Sequence, residues 1–313
     1  MTRDAGLETT LAGVRLRNPV VLAAGTCGYV TEMGDALPLA RVGAITTKSI
    51  TREPRPGNAP WRMVDVAAGM LNAIGLANPG VERFLSEEAP ALRSSPAPVI
   101  GSVAGHSIDD YVAVAARLDA AEGFALLELN VSCPNTATGL QFGDDPRLLG
   151  ELLRAVRPAV VRRRLLVKLS PASGDVVRLA ETAVAGGADG LTLVNTFPAM
   201  AICPHTRRPR LSRGSGGLSG PAIHAIAVRM VHEVHRLVAR PAAIPIVGTG
   251  GVLSWEDAAE FILAGASAVG MGTALFVDPR SPLAVVRGLA GWVRSQGVAS
   301  ISELVGAVRE AGA

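Results

Sequence analysis

The strongest constraint on what this chain can fold into is a recurrence. Eight short, mostly apolar runs lie along it: Val20–Ala24, Ala44–Lys48, Pro98–Ser102, Leu126–Val131, Leu165–Leu169, Gly190–Asn195, Ile244–Gly248 and Ala268–Gly272. They are near-continuous rather than alternating, the pattern of strands buried on both faces in a parallel sheet. Amphipathic stretches separate most of them, with helices expected at Ile108–Ala121, Pro146–Arg162, Asp175–Gly186, Pro221–Ala239, Trp255–Ala264 and Leu283–Gln296. Ser107, the pair Ser173-Gly174, and Ser254 precede three of these as start signals. Eight strand–helix units in 313 residues predict an α/β fold, a closed (β/α)8 TIM barrel forming one domain over residues 1–313. An open doubly wound sheet is the rival. No G-x-G-x-x-G follows the first run, and no Walker A sequence is present.

Thr9 to Pro19 reads as a small hairpin able to plug the bottom of the barrel. Two connections, 49–97 after the second strand and 196–220 after the sixth, are too long for simple turns. Both leave the C-terminal ends of strands, where barrel enzymes carry their sites, so they are expected to build the substrate site.

Several classes of function are excluded on composition. The net charge is +3, and the longest basic run, Arg162-Arg163-Arg164, precedes an apolar strand, so a solvated helix end is expected and no nucleic-acid partner. Cys27, Cys133 and Cys203 form no CxxC, against a disulfide framework, a metal site or an iron–sulfur site in this chain. The N-terminus has no apolar signal core, and the uncharged run Phe261–Val277 carries Gly265, Gly270 and Gly272 where a membrane span would not. A cytoplasmic protein without a membrane partner is expected.

Chemistry concentrates at the predicted strand ends. Of 30 basic residues 28 are Arg; the two lysines, Lys48 and Lys168, both end strands. A chain so biased toward Arg is expected to keep Lys where a compact ammonium on a flexible stem is needed. Gly248-Thr249-Gly250-Gly251 and Gly272-Thr273 follow strands seven and eight, where glycine-rich turns offer backbone N–H groups to a phosphate. Gly214 to Gly220 offers a third such backbone. Asn72, Asn130, Asn135 and Asn195 fall on the same rim, and Cys133 adds one thiol. Singly these are more often turn residues and a small core residue. Together they suit a phosphorylated redox cofactor stacked on a small polar heterocycle. A non-redox barrel, an aldolase or isomerase with Lys168 as Schiff-base lysine, remains open on the residues alone, as does a binding scaffold without catalysis.

Asn72-Ala73-Ile74-Gly75-Leu76, Glu128 through Asn135, Val167-Lys168-Leu169-Ser170, Asn195-Thr196, Gly216 through Pro221 and Gly248 through Gly251 occur in an order that resembles the dihydroorotate dehydrogenase family, from about residue 9 to 295. The likeness is greatest to the class 1, type B catalytic subunits. It implies an FMN barrel oxidising (S)-dihydroorotate to orotate in pyrimidine biosynthesis. Cys133, on a loop from about Ser132 to Gly143, would take the proton from C5 while C6 gives hydride to the flavin. Lys168 would stabilise the anionic reduced ring, and Lys48 would contact both flavin and substrate. Asn72, Ala73, Ile74, Gly75, Leu76, Asn130, Asn195 and Thr196 would hold the substrate. Ala24, Ser49, Ser102, Asn130, Val194, Gly220, Gly250, Gly251, Gly272 and Thr273 would surround FMN, with no metal. Ala24 stands where relatives often have Ser, and Ser102 where they have Asn, which limits the first to a backbone contact and shortens the reach of the second. The resemblance also implies a homodimer joined to a subunit carrying FAD and a [2Fe–2S] cluster, a heterotetramer passing electrons to NAD. A related FMN barrel acting on uracil-type dihydropyrimidines is the nearest alternative.

Overall fold

The computed structural model describes residues 6–131 and 142–309. All eight expected strands are present: β1 (Val20–Leu22), β2 (Ala44–Thr46), β3 (Val99–Val103), β4 (Phe124–Asn130), β5 (Arg164–Lys168), β6 (Gly190–Leu193), β7 (Ile246–Thr249) and β8 (Ala268–Met271). They pair in parallel in chain order, and β8 closes on β1 through Val269 opposite Val20. The α-helices of ten or more residues are α1 (Ile108–Ala120), α2 (Pro146–Val156), α3 (Val176–Ala185), α4 (His224–Val234), α5 (Trp255–Ala264) and α6 (Ser281–Ser295). Their apolar stripes, such as Tyr111, Val114 and Leu118 of α1, cover the outward residues Leu127 and Leu129 of β4 and Val131 just beyond it.

Alternation along the strands divides the barrel interior into an apolar floor and a polar top. On β4, Leu126, Glu128 and Asn130 share the inner face; on β5, Leu166 and Lys168 do. Val21, Ala44, Ile100, Leu126, Leu166, Val247 and Ala268 form the floor together with Leu11 and Leu16 of the N-terminal hairpin. That hairpin pairs Thr9–Leu11 with Val14–Leu16 across Ala12-Gly13, both at positive φ (46° and 84°), as a tight two-residue turn requires. Burying Leu11 and Leu16 contributes about 1.5–3 kcal/mol each, enough to hold so short a hairpin as the plug. One level up, Thr192 Oγ1 donates to Glu128 Oε2 at 2.7 Å.

The two long connections are not independent. Met63–Val66 and Gly69–Asn72 from the first, and Phe197–Ala199 and Gly216–Ser219 from the second, join in one antiparallel sheet, with Gly217 opposite Asn72. This sheet adds a roof above the strand ends, and residues of both connections face one cavity.

Three local expectations are corrected. Helix α2 stops at Val156 instead of Arg162: Pro158 has no N–H with which to continue the α-helical ladder, and the chain goes on only as a short 3-10 turn, Arg157–Ala159. The arginine run is therefore no helix end: the buried Asp119 carboxylate accepts from the N–H groups of Val161, Arg162 and Arg163, and Arg164 begins β5. Asp175 caps α3 by accepting from Arg178 N–H, not the serine before it, whereas Ser107 and Ser254 cap as expected.

Candidate active site

The strand ends, the phosphate-type turns and the roof enclose a cavity of about 550 Å³. Its wall includes Ala24, Lys48, Ser49, Asn72 through Leu76, Asn130, Lys168, Val194, Asn195, Thr196, Gly220, Gly250, Gly251, Gly272 and Thr273. Every described residue expected at the site is among them except Ser102. Cys133 lies outside the described residues.

Ser102 lies outside that lining. Its short side chain is fully buried below the wall, where its hydroxyl lies 2.9 Å from that of Ser49. Asn130 Nδ2 donates to Ser49 Oγ at 3.0 Å, and Asn195 Nδ2 donates to Asn130 Oδ1 at 3.4 Å. Ser102 thus acts through a relay, Ser102–Ser49–Asn130–Asn195, that fixes the two amides facing the cavity. The Tyr111 hydroxyl donates to the Asn130 carbonyl at 2.7 Å, anchoring the end of β4 from the helix layer.

The segment Asn72 to Leu76 is held by its neighbours. Gly75 and Leu76 have φ of 76° and 56°, an uncommon conformation for leucine. Asn78, buried, donates to the Leu76 carbonyl at 2.7 Å, and Asn58 donates to that of Ala73 at 2.8 Å. These bonds offset the strain by fixing both carbonyls.

At the other sector of the mouth, Gly250 and Gly251 have φ of 148° and 70°. Neither residue's N–H makes a hydrogen bond among the described residues. At Gly272 a Cβ would meet no protein atom within 3.4 Å, so the protein itself leaves room for a side chain there. Glycine at that position serves whatever occupies the cavity, which fits a group brought against bare backbone. The Thr273 hydroxyl donates to that of Ser219 at 2.8 Å, tying the β8 turn to the roof.

The charged groups in the wall are all basic: Lys48, Arg55, Lys168 and Arg213, with no Asp or Glu among the described lining residues. Lys168, at the inner end of β5, is only 6% exposed and makes no ion pair among the described residues. Burial, then the Arg62 charge, lowers the pKa of Lys48 below the ordinary ammonium value. Burial and Arg55 likewise lower His106, whose ring nitrogens have no hydrogen-bond partner among the described residues. Neither described cysteine faces the cavity: burial and Glu32 push the Cys27 thiol up to about 12, and Cys203 sits on the short strand Ile202–Cys203. Sequence reasoning missed Arg55, Asn58 and Arg213, whose positions inside the long connections gave no strand-end signal, and His106, which lies in the short turn between β3 and α1 and showed no ligand spacing to other histidines.

A family model for dihydroorotate dehydrogenase matches residues 6–292. The chain belongs to the dihydroorotate dehydrogenase family. It is 45% identical to the catalytic subunit of dihydroorotate dehydrogenase B (NAD(+)) from Pelobacter propionicus, over 96% of this chain and 98% of that protein. It is 44% identical to a putative dihydroorotate dehydrogenase A (fumarate) from Aquifex aeolicus, over 96% and 97%. Identity therefore does not separate the two kinds of relative. The fold matches that of the Eimeria tenella dihydroorotate dehydrogenase solved with ferulenol, with a TM-score of 0.80 at 21% identity, covering 96% of this chain and 88% of that one. This member of the family is accordingly an oxidoreductase of pyrimidine biosynthesis, in a family that depends on flavin. No helix among its described residues is long and apolar enough to cross a membrane.

Proposed function

We propose that the chain oxidises (S)-dihydroorotate to orotate with FMN as its flavin. The observation that carries this is the division of the cavity wall among the described residues: a fixed amide cluster in one sector, glycine N–H groups without a partner among those residues in another, and only cations among its described charged groups. Such a wall suits two anionic, amide-bearing ligands side by side, one of them a phosphate ester.

When bound, FMN supplies the acceptor for the hydride that leaves C6 of dihydroorotate. Gly250, Gly251, Gly272 and Thr273 would hold its phosphate, with Ala24, Ser49, Val194 and Gly220 around the remainder. Asn72, Asn130 and Asn195 bind the edges of the substrate ring, with Ala73 to Leu76 and Thr196 closing over it, and Lys48 supplies a cation for its carboxylate. Cys133 takes the C5 proton as general base. Lys168, buried in the wall, stabilises the negative charge that develops during transfer.

For the electrons' exit we infer NAD, reached through a partner subunit carrying FAD and a [2Fe–2S] cluster, with the catalytic chain as a homodimer in a heterotetramer. Leu253, Phe276 and Val277 are 39%, 50% and 76% exposed, and the first two line the cavity beside the glycine turns. An apolar rim at that sector supports a docked partner. The test is direct: acid should release FMN from the purified yellow protein, and an artificial oxidant should sustain orotate formation. A colourless folded protein, or a flavoprotein that makes no orotate, would overturn the reading.

A further inference from the structure

The first residue of α4, His224, has no part in the chemistry above, yet it sits directly behind the glycine turn after β7. Its Nδ1 lies 2.9 Å from the Gly250 carbonyl, and its Nε2 lies 3.2 Å from Glu260 Oε2 and 3.8 Å from Asp257 Oδ1. Phe261 meets the ring edge-on at 5.2 Å. Because a carbonyl only accepts, Nδ1 carries the hydrogen in this contact. Glu260 holds the far side of the ring when Nε2 also carries a hydrogen to donate to its carboxylate, and Phe261, on the same helix α5, packs against the ring edge-on. The backbones are equally close: a Cβ on Gly251 would fall 2.9 Å from His224 Cβ and 2.7 Å from the Gly220 carbonyl oxygen.

In a trans peptide the carbonyl and the following N–H point in opposite directions. The Gly250–Gly251 peptide is trans, and its carbonyl is held outward by His224. Its N–H therefore points away from His224, and that N–H is one of the unbonded donors of the cavity wall. With φ of 148° and 70°, the two glycines could otherwise let this peptide turn over.

We propose that His224 is a positioning residue for phosphate recognition: it pins the Gly250 carbonyl so that the Gly251 N–H is presented to the ligand's phosphate. This rests on the FMN reading above. The role is specific to the phosphate, so it separates FMN from riboflavin, which shares the ring system and lacks the phosphate.

The test is the preference for FMN over riboflavin, measured by exchanging riboflavin into the purified full-length holoprotein and quantifying both bound flavins. His224→Phe keeps a ring against Phe261 but cannot donate, and should lower the preference about tenfold, as loss of one well-aligned donor does. His224→Asn places an amide N–H near the Nδ1 position and should keep the preference within about twofold of wild type. Glu260→Ala, at an exposed position, removes the support behind the ring and should lower the preference about threefold. An unchanged preference in His224→Phe, or in Glu260→Ala should the first not fold, overturns the inference, as does an equal loss for both flavins. A wild-type protein with no preference for FMN would overturn this inference and the phosphate reading of the turns together.

Discussion

Ser102→Ala probes the relay beneath the substrate amides without touching the cavity wall. Asn130 Nδ2 donates to Ser49 Oγ at 3.0 Å, so the hydroxyl hydrogen of Ser49 is free to point to Ser102 Oγ, 2.9 Å away. Ser102 is fully buried and Ser49 nearly so, so water does not replace the deleted oxygen easily. The substitution removes one neutral hydrogen bond and leaves a buried donor unpaired, a cost of about 1–2 kcal/mol in stability. Freed from Ser102, the Ser49 hydroxyl can turn, and the Asn130 and Asn195 amides lose their fixed orientation. The KM for dihydroorotate should rise about three- to tenfold while bound flavin is retained. Denaturant melts give the first quantity, and steady-state kinetics with an artificial oxidant give the second. Ser49→Ala and the double variant should cost nearly the same as each other, because the residues act as one unit. A Ser102→Ala protein with wild-type stability and KM, or strictly additive losses, would refute the relay.

Lys48 gives a pH dependence whose sign follows from its surroundings. Burial and Arg62 lower its pKa, so it loses its proton, and its hold on a carboxylate, at a pH below that of an ordinary lysine. The KM for dihydroorotate should therefore climb on the alkaline side within that window, and Arg62→Gln should move the climb to higher pH; a flat KM there would contradict this role. Cys133→Ser should retain flavin and lose most flavin reduction near neutral pH, whereas wild-type reduction should rise toward about pH 8.5. A flat profile for that step from about pH 6 to 9 would count against the thiol as base. Phe276→Asp should leave dihydroorotate-driven flavin bleaching intact but abolish NAD reduction in the reconstituted complex; unaltered NAD reduction would place the partner elsewhere.

The barrel was readable because each strand is long enough to carry an uninterrupted apolar run between turn residues. Even there, the ladder loosens before the run ends: Thr47 N–H still donates to the Ile100 carbonyl of β3, whereas Lys48 N–H turns to the Gly28 carbonyl, at the threshold of the site. The roof was not readable. Its strands Gly69–Asn72 and Gly216–Ser219 are short and glycine-bearing, and they exist by pairing with one another across about 150 residues of chain. Site residues at strand ends carried their position in the sequence, as Lys48 and Lys168 show. Arg55 and Arg213 reach the cavity only through the folding of long connections, which no local period encodes. The depth of Ser102 was likewise invisible, since strand parity gives an inward face but not whether a short hydroxyl reaches the cavity.

The most direct test of the account is anaerobic mixing of the purified chain with dihydroorotate while following the visible flavin band and orotate together. The account predicts that the oxidised flavin band bleaches as stoichiometric orotate appears, and that NAD alone restores the band only slowly. A flavin band that persists in the presence of excess dihydroorotate would contradict the central claim.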